Sequence, residues 1–267
     1  MAAVKQAGVV AEATGFTEVK AGKPKYRLIV TVEGTEKVGK NHLAFTAPGP
    51  VYFHNFDFGV EGVINKFLPG GSHYVPGKAI HQANYRLDIP AGTAVQNAAD
   101  TARPVWEKFK SNFAEGLRKG RTTVVDTGTE VYEVLRMAEF GKLTQVMPHH
   151  YGPVNQAMKD IWRQAYDSDS NLIMLHRMKE EWETKTNSQG KEVSNKTGRW
   201  EMAGYKGTYF EAQVCCRAYK EEGTFKLLVF DCRQNPDLEG MVLEGEMLNF
   251  PMLGQLVYPD SSPEDWE

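Results

Sequence analysis

What most limits the folds open to this chain is one run, Gly34-Thr35-Glu36-Lys37-Val38-Gly39-Lys40-Asn41, set between an apolar segment and a helix-forming one. Tyr26 to Val32 reads as a buried strand, and His42-Leu43-Ala44-Phe45 can open a helix. Strand, glycine-spaced loop, lysine and helix form the arrangement of a phosphate-binding loop. The glycines let the backbone wrap an anion, amides at the helix start face it, and Lys40 adds a cation. Gly34, Thr35, Glu36, Lys37, Val38, Gly39, Lys40 and Asn41 are therefore the candidate nucleotide-binding residues. Asn41 stands where such a loop carries Ser or Thr, whose hydroxyl binds magnesium. An amide oxygen can take the metal directly or hold one of its waters.

The rest of the chain supplies the strands and helices an α/β fold needs. Val51 to Phe56 reads as a second strand that ends at Asp57, and Arg121 to Asp126 as a third that also ends in a carboxylate. Asn171 to Leu175 is a fourth, ending at His176-Arg177. Helical spacing runs from Pro104 to Leu117, through Glu130 to Met137, and from about Val154 to Ala165, whereas 68–103 carries turn signals without a clear period. The polar stretch 183–199 cannot bury itself and reads as a mobile loop or hairpin. Two β-type runs, Thr208 to Ala218 and Thr224 to Asp231, close the core. Residues 1–24 read as a flexible arm or an edge strand and the acidic tail 259–267 as disordered.

Composition narrows the class. At 267 residues and 41% hydrophobic content, one large α/β domain or a core with a small appendage is expected. A net charge of -3 excludes a globally basic nucleic-acid coat but leaves room for a local basic groove. Cys215, Cys216 and Cys232 are too few and wrongly spaced for a zinc site or disulfide framework, which points to a reducing cytosol. No run approaches 18 apolar residues and the N-terminus lacks a signal pattern, so a soluble intracellular protein is expected.

Ligand chemistry in open α/β sheets gathers at the carboxyl ends of strands, which brings the loop, Asp57, Asp126 and His176 into one argument. In nucleotide hydrolysis of this kind one strand-end carboxylate holds magnesium, a second polarises water, and a polar residue on a neighbouring strand senses the terminal phosphate. Asp126 fits the first role, Asp57 the second and His176 the third. Taken singly, each has a plainer reading, as a helix cap or turn residue for the aspartates and a satisfied structural group for the histidine. Their joint order along one chain is what favours catalysis by Lys40, Asp57 and His176, with Asn41 and Asp126 as the metal residues.

These segments resemble the RecA-like phage ATPases known as phage nucleotide-binding proteins, which include single-strand annealing proteins of the Sak type. The resemblance rests on Gly34 to Asn41, on Ala47-Pro48-Gly49-Pro50 leading to Phe56 through Val63, and on Val124-Val125-Asp126-Thr127. It extends through Gly141 to Val146, Pro148 to Asn155, Leu172 to Arg177, Gly198 to Glu201 and Ala203-Gly204-Tyr205, and spans roughly 26–240. It implies a RecA-like P-loop core with a mostly parallel central sheet and helices on both faces over 25–240, followed by an extension over 241–267. It implies ATP and Mg2+ as cofactors, Asp57 as the catalytic carboxylate, Asp126 as the metal-holding aspartate, and His176 near the residue that couples nucleotide to DNA. Single-stranded DNA is the implied partner, met by loops at 141–153 and 177–207.

Single-strand binding combines cations that follow phosphates with flat groups on which bases stack. Lys142, Gln145, His149, His150 and Tyr151 offer this mixture in one loop, and Arg177, Lys179, Lys185, Lys191, Lys196 and Arg199, with Trp200 nearby, in the other. A solvated charged loop is the plainer reading of both. A homo-oligomer is expected, with Arg217, Lys226 or Arg233 reaching a neighbouring phosphate; a single-strand-binding protein is a further expected partner, in the cytoplasm of an infected bacterium. The function expected is ATP-dependent annealing of single strands during recombination. A non-hydrolysing, nucleotide-gated binding module is the alternative that Asn41 favours, and a helicase or packaging motor on the same core is a third.

Overall fold

The computed structural model describes residues 25–143, 146–186 and 191–266. The arm expected over 1–24 and the candidate DNA contact Gln145 lie outside the described residues. In chain order the elements are β1 (Ile29–Gly34), α1 (Lys40–Thr46), β2 (Val51–Asn55), α2 (Glu61–Ile64), β3 (Ile80–Asn84), α3 (Val95–Lys119), β4 (Thr122–Asp126) and α4 (Gly128–Phe140). They continue as α5 (Gly152–Asp167), β5 (Asn171–Thr186), β6 (Glu192–Met202), α6 (Thr208–Glu211), β7 (Val214–Glu221), β8 (Thr224–Cys232), β9 (Val242–Glu244) and α7 (Phe250–Val257).

One sheet joins the strands in the order β3-β2-β4-β5-β1-β7-β8-β9, and β6 pairs with β5 alone. Neighbours from β3 through β7 run parallel, while β8 and β9 are antiparallel additions. β1 is central, and all six of its residues are buried. A parallel strand covered on both faces needs such an apolar, β-branched run, which is why Ile29 to Val32 is readable from sequence. The mostly parallel sheet with helices on both faces is the α/β architecture expected.

Alternation along the strands separates the two faces. Val30 and Val32 of β1, Val124 of β4 and Ile173 and Leu175 of β5 join Leu43, Ala44 and Phe45 of α1 and Leu253 and Val257 of α7 in one core. Ile29, Val125, Leu172 and Met174 face Phe109 and Phe113 of α3, Val131 and Leu135 of α4, and Met158 and Trp162 of α5. By the same parity Asp126 and Arg177 fall on the α1 face, and Glu33 and His176 on the opposite one.

Several expectations need correction. The helix placed from Pro104 begins at Val95, with Pro104 inside it, and its Ala98, Ala99 and Ala102 pack inward. The run from Thr208 is not a strand at its start: 208–211 is the helical turn α6, and pairing begins at Val214. Of the two readings of the polar stretch 183–199, mobile loop or hairpin, the described residues fit the hairpin: the outer part of β5 pairs antiparallel with β6. The tail is ordered through Trp266, whose fully buried ring stacks on Tyr258 at 6.0 Å between centroids. Arg121 donates to the Asp265 carbonyl at 2.6 Å and Tyr26 to that of Asp260 at 3.1 Å, which fastens the tail to the start of the core.

Candidate nucleotide-binding site

Gly34 closes β1, and Thr35 to Gly39 curl back before α1 starts at Lys40. The curl places Gly39 at φ 89, a left-handed conformation that favours glycine. Lys40 Nζ donates to the carbonyls of Gly34 at 2.7 Å and Thr35 at 2.6 Å, so the lysine closes the loop over itself. Burial holds the Lys40 amine below its usual range, although Asp126 and Asp57 pull the other way. A poorly solvated ammonium beside a glycine-spaced loop can pair with an anion such as a phosphate.

Asn41, one residue on, donates from Nδ2 to Asp126 Oδ2 at 2.9 Å. The amide therefore does two jobs with two different atoms: its nitrogen orients the strand-end carboxylate, and its Oδ1 remains as an acceptor. Asp126 ends β4 with 2% of its surface exposed. Burial pushes its carboxyl up to about 6, with Asp57 adding to the rise and the Asn41 hydrogen bond and Lys40 opposing it. Oxygen ligands of this kind, one anionic and one neutral, suit magnesium.

Asp57 follows β2, in a turn where Phe58 N–H donates to Asn55 Oδ1 at 3.1 Å. Its Oδ1 is held by Arg177, whose guanidinium also grips Glu130 in the first turn of α4. Thr127 caps that helix by accepting from Glu130 N–H at 3.2 Å. Asp57, Asp126, Arg177 and the loop line one cavity of about 810 Å3, which opens between the sheet edge and the β7–β8 turn.

His176 is not in that cavity. It lies fully buried on the opposite face, where a Cβ on Gly128 would come within 2.6 Å of its ring. Burial pushes its pKa down to about 3, against an opposing pull from the Ala203 backbone, so it stays neutral. The expected contact of His176 with the nucleotide is therefore corrected: its neighbour Arg177 occupies the place facing the loop. Reading β5 as alternating, with Ile173 and Leu175 on the α1 side, would have found this. Glu130 and the turn residues Gly223, Thr224 and Phe225 were also missed, because only tertiary packing brings them to the loop.

The candidate DNA residues fall into two groups. Lys142 donates to the Pro90 carbonyl at 2.6 Å, His149 and His150 sit in a short 3-10 turn over Pro148–Tyr151, and Tyr151 packs on Phe140 at 5.3 Å between centroids. Lys179, Lys185, Lys196 and Arg199 lie on the β5–β6 arm, each paired with a carboxylate of the same arm: Glu201, Glu183, Glu180 and Glu181 respectively. Over 178–202 five cations (Lys179, Lys185, Lys191, Lys196, Arg199) meet five glutamates (180, 181, 183, 192, 201), so the arm has no net charge. Its exposed aromatic groups are Trp182 and Trp200. Arg177 belongs to the cavity rather than to the arm surface. Arg217, Lys226 and Arg233 are all engaged within the chain, with Glu33, with Glu221 and Glu244, and with the Phe210 carbonyl.

No family model and no curated protein matches the chain. Among solved structures it is similar to the RadB recombinase, at 13% identity and a TM-score of 0.41, over 81% of this chain and 86% of that one. Among the described residues no helix is long and apolar enough to cross a membrane.

Proposed function

We propose that this chain is an ATP-binding, RecA-like recombination protein that binds single-stranded DNA and promotes annealing, with ATP hydrolysis coupled to DNA binding. The observation that carries the reading is the meeting of Lys40, Asn41 and Asp126 at the carboxyl edge of a parallel sheet, within one cavity that also holds Asp57 and Arg177. Loop amides and Lys40 would hold the phosphates, the lysine exchanging its two carbonyl partners for phosphate oxygens. Asn41 and Asp126 would hold Mg2+, which when bound neutralises phosphate charge. Asp57 is the general base of this scheme and is free to act once Arg177 turns toward the nucleotide. Arg177, at the point where β5 leaves the core, takes over the sensing role first given to His176.

On this reading single-stranded DNA runs across the 141–153 segment and the β5–β6 arm, where Trp182 and Trp200 are the groups on which bases stack. Further copies of the chain and a single-strand-binding protein are the partners we assign, in the cytoplasm of an infected bacterium. The pairing of Asp57 with Arg177, together with Asn41 at the metal position, favours a second reading: a nucleotide-gated binding module that turns ATP over slowly or not at all.

Steady-state ATP hydrolysis with Mg2+, with and without single-stranded DNA, separates the two. DNA-stimulated turnover that disappears in Lys40→Ala supports the coupled ATPase. ATP-dependent retention of single strands without turnover makes the gated module the better account. Equal ATP affinity in Lys40→Ala and the native chain would remove the phosphate-loop assignment itself.

A further inference from the structure

The cavity has two ends of different chemistry. Lys40, Asn41, Asp126 and Arg177 make the polar end, and Phe225 and Leu248, beside Gly223 and Gly245, make the other. The ring of Phe225 lies against the loop itself, since a Cβ on Gly39 would come within 3.4 Å of its Cδ1. With 44% of its surface exposed, Phe225 is not a core residue, yet its position is held closely. Left-handed Glu222 (φ 49) and Gly223 (φ 85) turn the chain so that β8 starts beside the loop. Lys226, the next residue, bridges Glu221 at 2.8 Å and Glu244 at 3.2 Å, which ties this turn to β9 and so to Gly245 and Leu248. On the far side Phe250 N–H donates to Thr46 Oγ1 at 2.8 Å, fixing the segment after Leu248 to the end of α1.

We propose that Phe225 and Leu248 form the seat of the nucleobase, which stacks on the Phe225 ring while the phosphates enter the loop. This rests on the nucleotide-binding reading above and adds how the base is chosen. An aromatic ring next to a phosphate cradle, one van der Waals contact from its backbone, offers a flat surface for any base. Thr224, next to Phe225 in the cavity lining, carries a hydroxyl that both donates and accepts. Such a group satisfies the amino edge of adenine and the carbonyl edge of guanine alike. The seat therefore takes nucleotides by stacking and does not distinguish ATP from GTP. Lys220, whose Nζ lies 5.1 Å from the ring centroid, is the group an incoming base displaces.

The test is calorimetric titration of the full chain, in Mg2+, with ATP, GTP and inorganic tripolyphosphate. Phe225→Ala is expected to weaken ATP and GTP about tenfold or more while leaving tripolyphosphate unchanged, because base stacking is lost and the phosphate cradle is kept. Phe225→Trp should restore both nucleotides. Equal weakening of tripolyphosphate would mean that the ring only supports the loop, and unchanged ATP binding would remove the seat altogether. A native preference for ATP over GTP beyond tenfold would overturn recognition by stacking alone. Tripolyphosphate binding that depends on Lys40, with no effect of Phe225→Ala on ATP, would sink only the base seat. Failure of the native chain to bind either ATP or tripolyphosphate would sink the nucleotide reading, and the seat with it.

Discussion

Asp126 is held at a cost that can be measured. Its carboxyl rises from 3.8 to about 6, mainly because burial disfavours the charged form. A shift of about two units corresponds to about 3 kcal/mol. The folded state binds this proton more tightly than the unfolded state does. Its contribution to stability is thus fully present below about pH 4, is lost as pH rises, and is gone above about pH 6. Asp126→Asn has nearly the same shape, can still accept the Asn41 hydrogen bond through its own oxygen, and carries no charge to desolvate. The variant should match the native chain near pH 3.5, exceed it by about 1.5 kcal/mol at pH 5, and exceed it by about 2 to 3 kcal/mol at pH 8. Urea unfolding followed by far-ultraviolet circular dichroism, with EDTA and without nucleotide, reads the difference at each pH. On the proposed function the same variant should also lose Mg2+-dependent nucleotide affinity, since it removes the carboxylate proposed to hold the metal. A stability difference that does not change with pH, or a variant less stable than the native chain at pH 8, would refute the argument.

Two further perturbations probe other parts of the molecule. Trp266→Ala empties a fully buried site between Tyr26, Tyr258 and Phe250, and should cost about 3 to 5 kcal/mol in thermal or urea unfolding. A loss below about 1 kcal/mol would mean that the tail merely rests on the core. On the arm, Glu180→Gln with Glu181→Gln releases Lys196 and Arg199 from their carboxylates. Two new phosphate contacts should steepen the logarithmic salt dependence of oligo-dT binding by about 1.4. An unchanged slope in fluorescence anisotropy would place the strand elsewhere.

How much could be read in advance depended on how each residue is buried. β1, β2, β4 and the inner half of β5 are covered on both faces, so they appear as apolar runs that any reader would mark. β3 is an edge strand with exposed His81, Gln82 and Asn84, and it leaves no such run. α3 hid its first half because its inward residues there are alanines, which contrast weakly with the polar face, and because Pro104 looks like a helix start. Lys40, Asn41 and Asp126 were legible because loop and strand end carry their own local signals. The choice between His176 and Arg177 turned on one step of strand parity. Phe225 reaches Gly39 only through the packing of β7 and β8, which no local pattern records.

The sixteen residues of β5 form one strand that begins in the core beside β1 and ends at the tip of the arm. Between the two stands Arg177, fixed at its side chain by Asp57 and Glu130 and at its backbone by Thr129 Oγ1, 3.1 Å from its N–H. The outer segment, 178–186, extends about 30 Å at the usual rise of a strand. The strand runs on past the ion pair, with one register shift against β6 between Glu180 and Trp182, so the ion pair stands where a lever would have its fulcrum. A tilt of about five degrees at Arg177 would sweep Thr186 through between two and three ångströms on the same strand length. A rearrangement at the cavity wall would in this way become a displacement far from it, as faithfully as the β5–β6 ribbon is stiff across its register shift at Glu180 and Trp182.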